Sequence, residues 1–95
     1  MLVPSTGNRP NAAIAVIRIT PAVESELRER HGLTAGLVRQ VLIYRRDVEK
    51  RWDDNPANGG PRLVALARAP DSRQIIAWLV PLDDGEWQLK SARYV

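Results

Sequence analysis

Arg68, Arg73 and Arg93 are the side chains of this chain best suited to hold an anion. A guanidinium fork matches phosphate oxygens two at a time. Arg68 and Arg73 bracket the turn residues Pro70-Asp71-Ser72, and Arg93 ends the last of three apolar runs. The simplest closure of the two hairpins sets Arg68 opposite Arg73 and Val80 opposite Glu86. Arg93 then also falls opposite Arg73, and directly opposed residues of an antiparallel pair share a face. Three like charges abreast repel one another, so an anion should sit among them. Internal candidates are Asp71, Asp53, Asp54 and the terminal carboxylate of Val95; the external candidate is a bound phosphate.

Cleavage of RNA without a metal needs an activated 2′-hydroxyl, a stabilised phosphate charge and a protonated leaving oxygen. Clustered cations meet the second need, usually the largest. Lys90, Glu86 and His31 are the candidates for moving protons. His31 is the only histidine, and its side chain is the one that ordinarily titrates near neutrality. It equally suits the C-terminal end of a helix, where the dipole favours an imidazolium. Trp78 offers a platform for a base if its ring is open, and is packed within the fold if it is not. Tyr94 stands near the arginine end, either to hydrogen-bond a phosphate or as a terminal aromatic. There is no Gly-rich phosphate loop, nucleophile elbow or metal-ligand cluster, so no cofactor or metal is expected. The doublets Asp53-Asp54 and Asp83-Asp84 fall in turns, where aspartate serves the backbone.

The elements that must position these groups follow from periodicity. Residues 62–68, 74–80 and 86–93 are β-prone runs separated by turn chemistry and read as a three-stranded antiparallel meander. With the closure above, Val64, Leu66, Ile75, Ala77, Leu79, Trp87 and Leu89 share the face that helices should cover. A one-residue slip in either turn exchanges the faces beyond it. Residues 12–19 form a further apolar run that reads as a strand. Thr20-Pro21 opens a first helix and Gly32 stops it. Thr34 opens a second, with Leu33 placed to staple onto Val38. Its buried stripe is Leu37, Val41, Tyr44, Val48 and Trp52, and its opposite face carries Arg39, Arg46 and Lys50. That basic stripe reads as a solvated face paired with Asp47, Glu49 and Asp54 rather than a grip on phosphates. The expectation is an α+β fold: an antiparallel sheet of about four strands with two helices packed on one face. Residues 1–11 read as a loose N-terminal arm and residues 12–95 as a single domain.

The chain has 95 residues, enough for one domain with a modest core. It has no cysteine, which excludes a disulfide framework or zinc–thiolate site and fits a reducing cytoplasm. No apolar run approaches the ~20 residues of a membrane-spanning helix. The N-terminal residues lack the charged start and apolar block of a signal peptide. A net charge of +3 favours nucleic acid or an acidic protein as partner, though 14 basic residues stand against 11 acidic ones.

Three short motifs resemble a known family. Arg30-His31-Gly32-Leu33-Thr34, bridging the two helices, resembles the Lys-His-Gly-Val-Ser bridge of BrnT-type toxins. Residues 62–68, Arg-Leu-Val-Ala-Leu-Ala-Arg, resemble that family's Arg-x-x-Ala-x-Gly-Arg strand. Leu89-Lys90-Ser91-Ala92-Arg93 resembles its closing Ile-Ile-Ser-Ala-Arg. The resemblance implies a RelE-like ribonuclease toxin of a type II toxin–antitoxin pair, neutralised by a cognate antitoxin protein. It carries His31, Arg62, Arg68, Ser91 and Arg93 over as motif positions. On the combined reading, His31, Arg68, Lys90 and Arg93 are the catalytic candidates, while Arg62, Arg73, Ser91 and Tyr94 are the RNA-binding ones. The alternative is a non-catalytic basic module docking RNA or an acidic protein.

Overall fold

The computed structural model describes residues 12–54 and 61–95. The N-terminal arm to Asn11 and the middle of the loop between Asp53 and Pro61 lie outside the described residues. The elements are β1 (Val16–Arg18), α1 (Pro21–His31), α2 (Ala35–Ile43), β2 (Glu49–Asp53), β3 (Arg62–Arg68), β4 (Gln74–Asp83) and β5 (Glu86–Tyr94). The sheet order is β1-β5-β4-β3-β2. Pairing is antiparallel except between β1 and β5, which run parallel. The sheet is therefore five-stranded and mixed, where four antiparallel strands were expected.

Both helices begin as their sequences require. The Val23 N–H donates to the Thr20 hydroxyl at 3.3 Å, and the Leu37 N–H to the Thr34 hydroxyl at 3.1 Å. Each bond satisfies one of the donors a helix start leaves unpaired. Gly32 ends α1 in the left-handed region at φ 64°, and the next N–H, on Leu33, reaches back to the Leu27 carbonyl at 2.9 Å.

The second helix is shorter than its spacing suggests. It stops at Ile43, Tyr44 is 78% exposed, and residues 49–53 form the edge strand β2. Trp52 still turns inward, from a strand rather than a helix, and meets Trp87 with ring centroids 5.7 Å apart. A spacing of four is even, so it keeps residues on one side of a strand as well as on one stripe of a helix. Four of the five β2 residues are charged, a composition that blunts an exposed sheet edge against further pairing. At the other edge Arg39 donates from Nε and Nη2 to the Ile17 carbonyl of β1, at 3.3 and 3.1 Å. That arginine is a strap between α2 and the sheet rather than part of a solvated basic stripe.

The helices cover one face. Leu63, Ala65 and Ala67 of β3, Ile75, Ala77 and Leu79 of β4, and Trp87, Leu89 and Ala92 of β5 are buried there with Leu27, Leu33, Val38, Val41 and Leu42. Each fully buried aliphatic side chain contributes about 1.5–3 kcal/mol through removal from water. Trp87, the largest buried side chain, also donates its indole N–H to the Ala13 carbonyl at 2.9 Å. The expected core face was right for β4 and for Trp87 and Leu89, but wrong for β3. Val64 and Leu66 point to the uncovered face, and Ala65 and Ala67 inward.

The turns account for that exchange. Arg68 pairs with Gln74, not Arg73. Pro70, Asp71 and Ser72 form a three-residue loop: the Ser72 N–H donates to the Ala69 carbonyl at 2.9 Å and the Ala69 N–H to the Arg73 carbonyl at 2.8 Å. Ser72 takes the left-handed conformation at φ 73° that such a loop demands of its last residue. The second hairpin closes later than expected, with Asp83 opposite Glu86 and only Asp84-Gly85 between them. Strand β4 continues through Pro81 with a register shift beside it, the setting in which a sheet tolerates a residue without an N–H. The Gly85 carbonyl then accepts from the Ala15 and Val16 N–H groups at 2.8 and 3.0 Å, seating the start of β1.

Candidate nucleic-acid interface

The three arginines are not opposed as expected. Arg73 lies in the turn, where Asp71 accepts from its backbone N–H at 3.1 Å and from its Nε at 2.9 Å. Its guanidinium covers the Tyr94 ring at 3.7 Å. The Asp71 carboxyl is held below its ordinary pKa first by the Arg73 backbone N–H and then by the Arg73 side chain. The same side-chain bond raises Arg73. Arg68 donates to the Ser72 carbonyl at 2.8 Å. Its charge also helps, as the smallest of several causes, to hold Asp47 below its ordinary pKa; the hydrogen bond from Arg45 is the largest. Arg93 pairs across to Ile76. The direct opposition expected from the hairpin closures is absent because both closures are shifted: Arg68 and Arg93 lie opposite Gln74 and Ile76 on the face away from the helices, and Arg73 turns to Tyr94.

The remaining candidates divide by layer. His31 ends α1, half-buried, in the helix layer on the far side of the sheet from Arg93. Arg62 starts β3 and pairs with Asp53 at 3.5 Å. Its Nε is buried without a hydrogen-bond partner among the described residues. Tyr94 lies opposite Ile75, on the helix-covered side, as the platform under Arg73. Ser91 lies opposite Trp78 on the uncovered face.

Lys90 owes its position to a bulge. Trp78 pairs with Ser91 but Leu79 with Leu89, so Lys90 is an extra residue in β5. Buried Leu89 and Ala92 are therefore three apart rather than two or four, and Lys90 and Ser91 between them both turn away from the core. Lys90 is exposed. The bulge puts Lys90, Ser91 and Arg93 on the same side of β5.

What the structure assembles is a sheet face that neither helix covers. Its centre is apolar: Val64, Leu66, Ile76, Trp78 and Val80. The register orders it in rows that cross the strands. One row runs Glu49, Leu66, Ile76, Arg93, and the next runs Arg51, Val64, Trp78, Ser91. Trp78 is half-buried, with the Arg93 guanidinium 5.5 Å from its ring centroid. Arg51, Arg93 and Lys90 are exposed at the sides of this floor, and among the described residues none of the three forms an ion pair. The acidic groups Asp53 and Glu86 are matched by Arg62 and Arg18. A shallow cavity of about 270 Å³ opens between β2 and the centre, lined by Glu49, Lys50, Arg51, Val64, Leu66 and Ile76. Sequence reasoning missed Glu49 and Arg51, since it placed them on or after a helix; the alternation of Val48, Lys50 and Trp52 with Glu49 and Arg51 was the signal available.

Among the described residues no cluster of three or more His, Asp or Glu side chains could hold a metal ion, and no helix is long and apolar enough to cross a membrane. Comparison with known proteins finds no matching family model, no matching curated protein and no matching solved structure.

Proposed function

We propose that the protein binds single-stranded RNA across the uncovered face of its sheet. One observation supports this above the rest: half-buried Trp78 lies among aliphatic side chains with Arg93 beside its ring, and Arg51 and Lys90 stand exposed at the margins. Sequence-tolerant binding of a single strand needs aromatic platforms for bases and cations for the phosphates between them. An acidic peptide would satisfy the cations but has no use for an open indole. The test is direct titration with labelled oligouridine and with a poly-glutamate peptide. RNA bound in a salt-dependent manner supports the reading, and binding of the peptide alone overturns it.

A second reading, RNA cleavage by a type II toxin, draws on Lys90 and Arg93 flanking Ser91 within the motif that resembles the BrnT-type ending. Arg93 would hold the scissile phosphate and Lys90 would give a proton to the departing 5′-oxygen as the 2′-oxygen, its proton passing to water, attacks phosphorus. His31, in the other layer, would have to act from a different surface, so cleavage on this face rests on the two cations. Incubation of labelled RNA with the protein in EDTA tests it: fragments that vanish in Lys90→Met support cleavage, and intact bound RNA leaves the binding role alone. A gene encoding a DNA-binding antitoxin beside this one would favour the toxin reading.

A further inference from the structure

The cavity beside β2 is more than a gap in the surface, because its two sides differ in chemistry. Val64, Leu66 and Ile76 make an apolar floor, while Glu49, Lys50 and Arg51 form the wall. Glu49 and Arg51 are two apart on one strand and face the same way, with Leu66 and Val64 opposite them. An ionised carboxylate only accepts hydrogen bonds. Any flat ring seated on this floor against Glu49 must therefore offer donors from its edge.

We propose that this cavity is a base-reading subsite that selects guanine. The inference rests on the RNA reading above and names what that face would discriminate. Guanine alone among the four bases presents two adjacent donors, N1–H and the N2 amino group, on its pairing edge; they match the two oxygens of Glu49. Cytosine and adenine offer an amino group beside an acceptor nitrogen, which a carboxylate repels, and uracil offers a single N–H between carbonyls. Single-stranded RNA is read through just these pairing edges. Arg51, on the same wall, is placed for the phosphate of the seated nucleotide.

The register relates this subsite to Trp78. Glu49 and Arg93 end one row separated by three strand spacings, a span of about 14 Å. A strand crossing the sheet along that row puts one base against Glu49 and a following one on Trp78, with Arg93 at the far side.

The experiment uses three labelled oligomers of equal length: all uridine, uridine with one central guanosine, and uridine with one central inosine, which lacks the N2 amino group. The guanosine oligomer should bind about tenfold more tightly than all-uridine, the order expected of one bidentate base contact. Inosine should fall between them. In Glu49→Gln the ratio of guanosine to all-uridine affinity should fall to about one, even as loss of the carboxylate charge strengthens binding of all three oligomers. In Arg93→Ala all three should weaken together with the preference kept. A guanine preference that survives Glu49→Gln, or all-uridine and guanosine oligomers binding alike to the parent protein, overturns the subsite but leaves RNA binding standing. Failure of every oligomer to bind overturns both.

Discussion

The Arg93 guanidinium lies 5.5 Å from the centre of the Trp78 ring, on the side of the sheet that the helices leave open. Arg93 projects from the strand that pairs with Trp78's own, one register step away. The pair combines an exposed cation and a half-buried ring on one surface. Such a contact is worth about 0.5–1 kcal/mol when exposed, little enough for a bound strand to replace. Trp78→Ala should cost about 1–3 kcal/mol of RNA affinity at fixed salt. Arg93→Ala should weaken binding and also lower the slope of log affinity against log salt by about 0.7, as one phosphate contact is lost. Titrations at several salt concentrations distinguish the two effects, because only the arginine change alters the slope.

Ser72 holds a left-handed position at the end of the Pro70–Ser72 loop without being glycine. Such a backbone costs a side-chain-bearing residue about 1–2 kcal/mol. Ser72→Gly relieves that cost but loosens the unfolded chain, so a net gain of up to about 1 kcal/mol is expected. Urea denaturation measures it, with an unchanged m-value as the sign that the effect is on stability.

Trp87 joins both edges of the fold: its ring meets Trp52 and its N–H bonds to Ala13. Trp87→Phe keeps most of the packing but loses the indole hydrogen bond to the Ala13 carbonyl, and should cost about 0.5–1.5 kcal/mol. Trp87→Ala opens a cavity as well and should cost about 3–5 kcal/mol. Thermal and urea melts rank the two variants against the parent.

Asp71 gives a pH dependence with a definite sign. Its pKa is lowered in the folded protein by the Arg73 backbone and side chain. The native state therefore binds the proton less readily than the unfolded chain. The stabilisation is present above the ordinary aspartate pKa and is lost as pH falls through the lowered folded value. A carboxyl-carbon NMR titration should find Asp71 below an unperturbed aspartate. Arg73→Ala should raise that midpoint only in part, since the backbone N–H remains.

The first helix was legible because three independent signals agree: the Thr20 hydroxyl, Pro21 at the first turn and Gly32 at the end. The meander was legible as runs and turns, but its register was not. A single extra residue in the Ala69–Arg73 closure, adopted through the unusual backbone of Ser72, exchanged the faces of Val64 and Ala65. The bulge at Lys90 shifted the last pairing again, and nothing local in Leu89-Lys90-Ser91 announces it. Strand β2 was hidden because Tyr44, Val48 and Trp52 keep a helical spacing that is also even. For the same reasons Lys90, Ser91 and Arg93 were recognisable only as a short motif near the end of the last strand, while Glu49 and Arg51, which complete the face across the sheet, were not.

Every binding effect above requires RNA to lie on the side of the sheet that the helices leave open. Backbone amide spectra recorded with and without single-stranded RNA test it most directly. Shifts should concentrate at Glu49, Arg51, Val64, Leu66, Ile76, Trp78, Ser91 and Arg93, with α1 and α2 unmoved. Shifts centred on the helices, or an unchanged spectrum at saturating RNA, would contradict it.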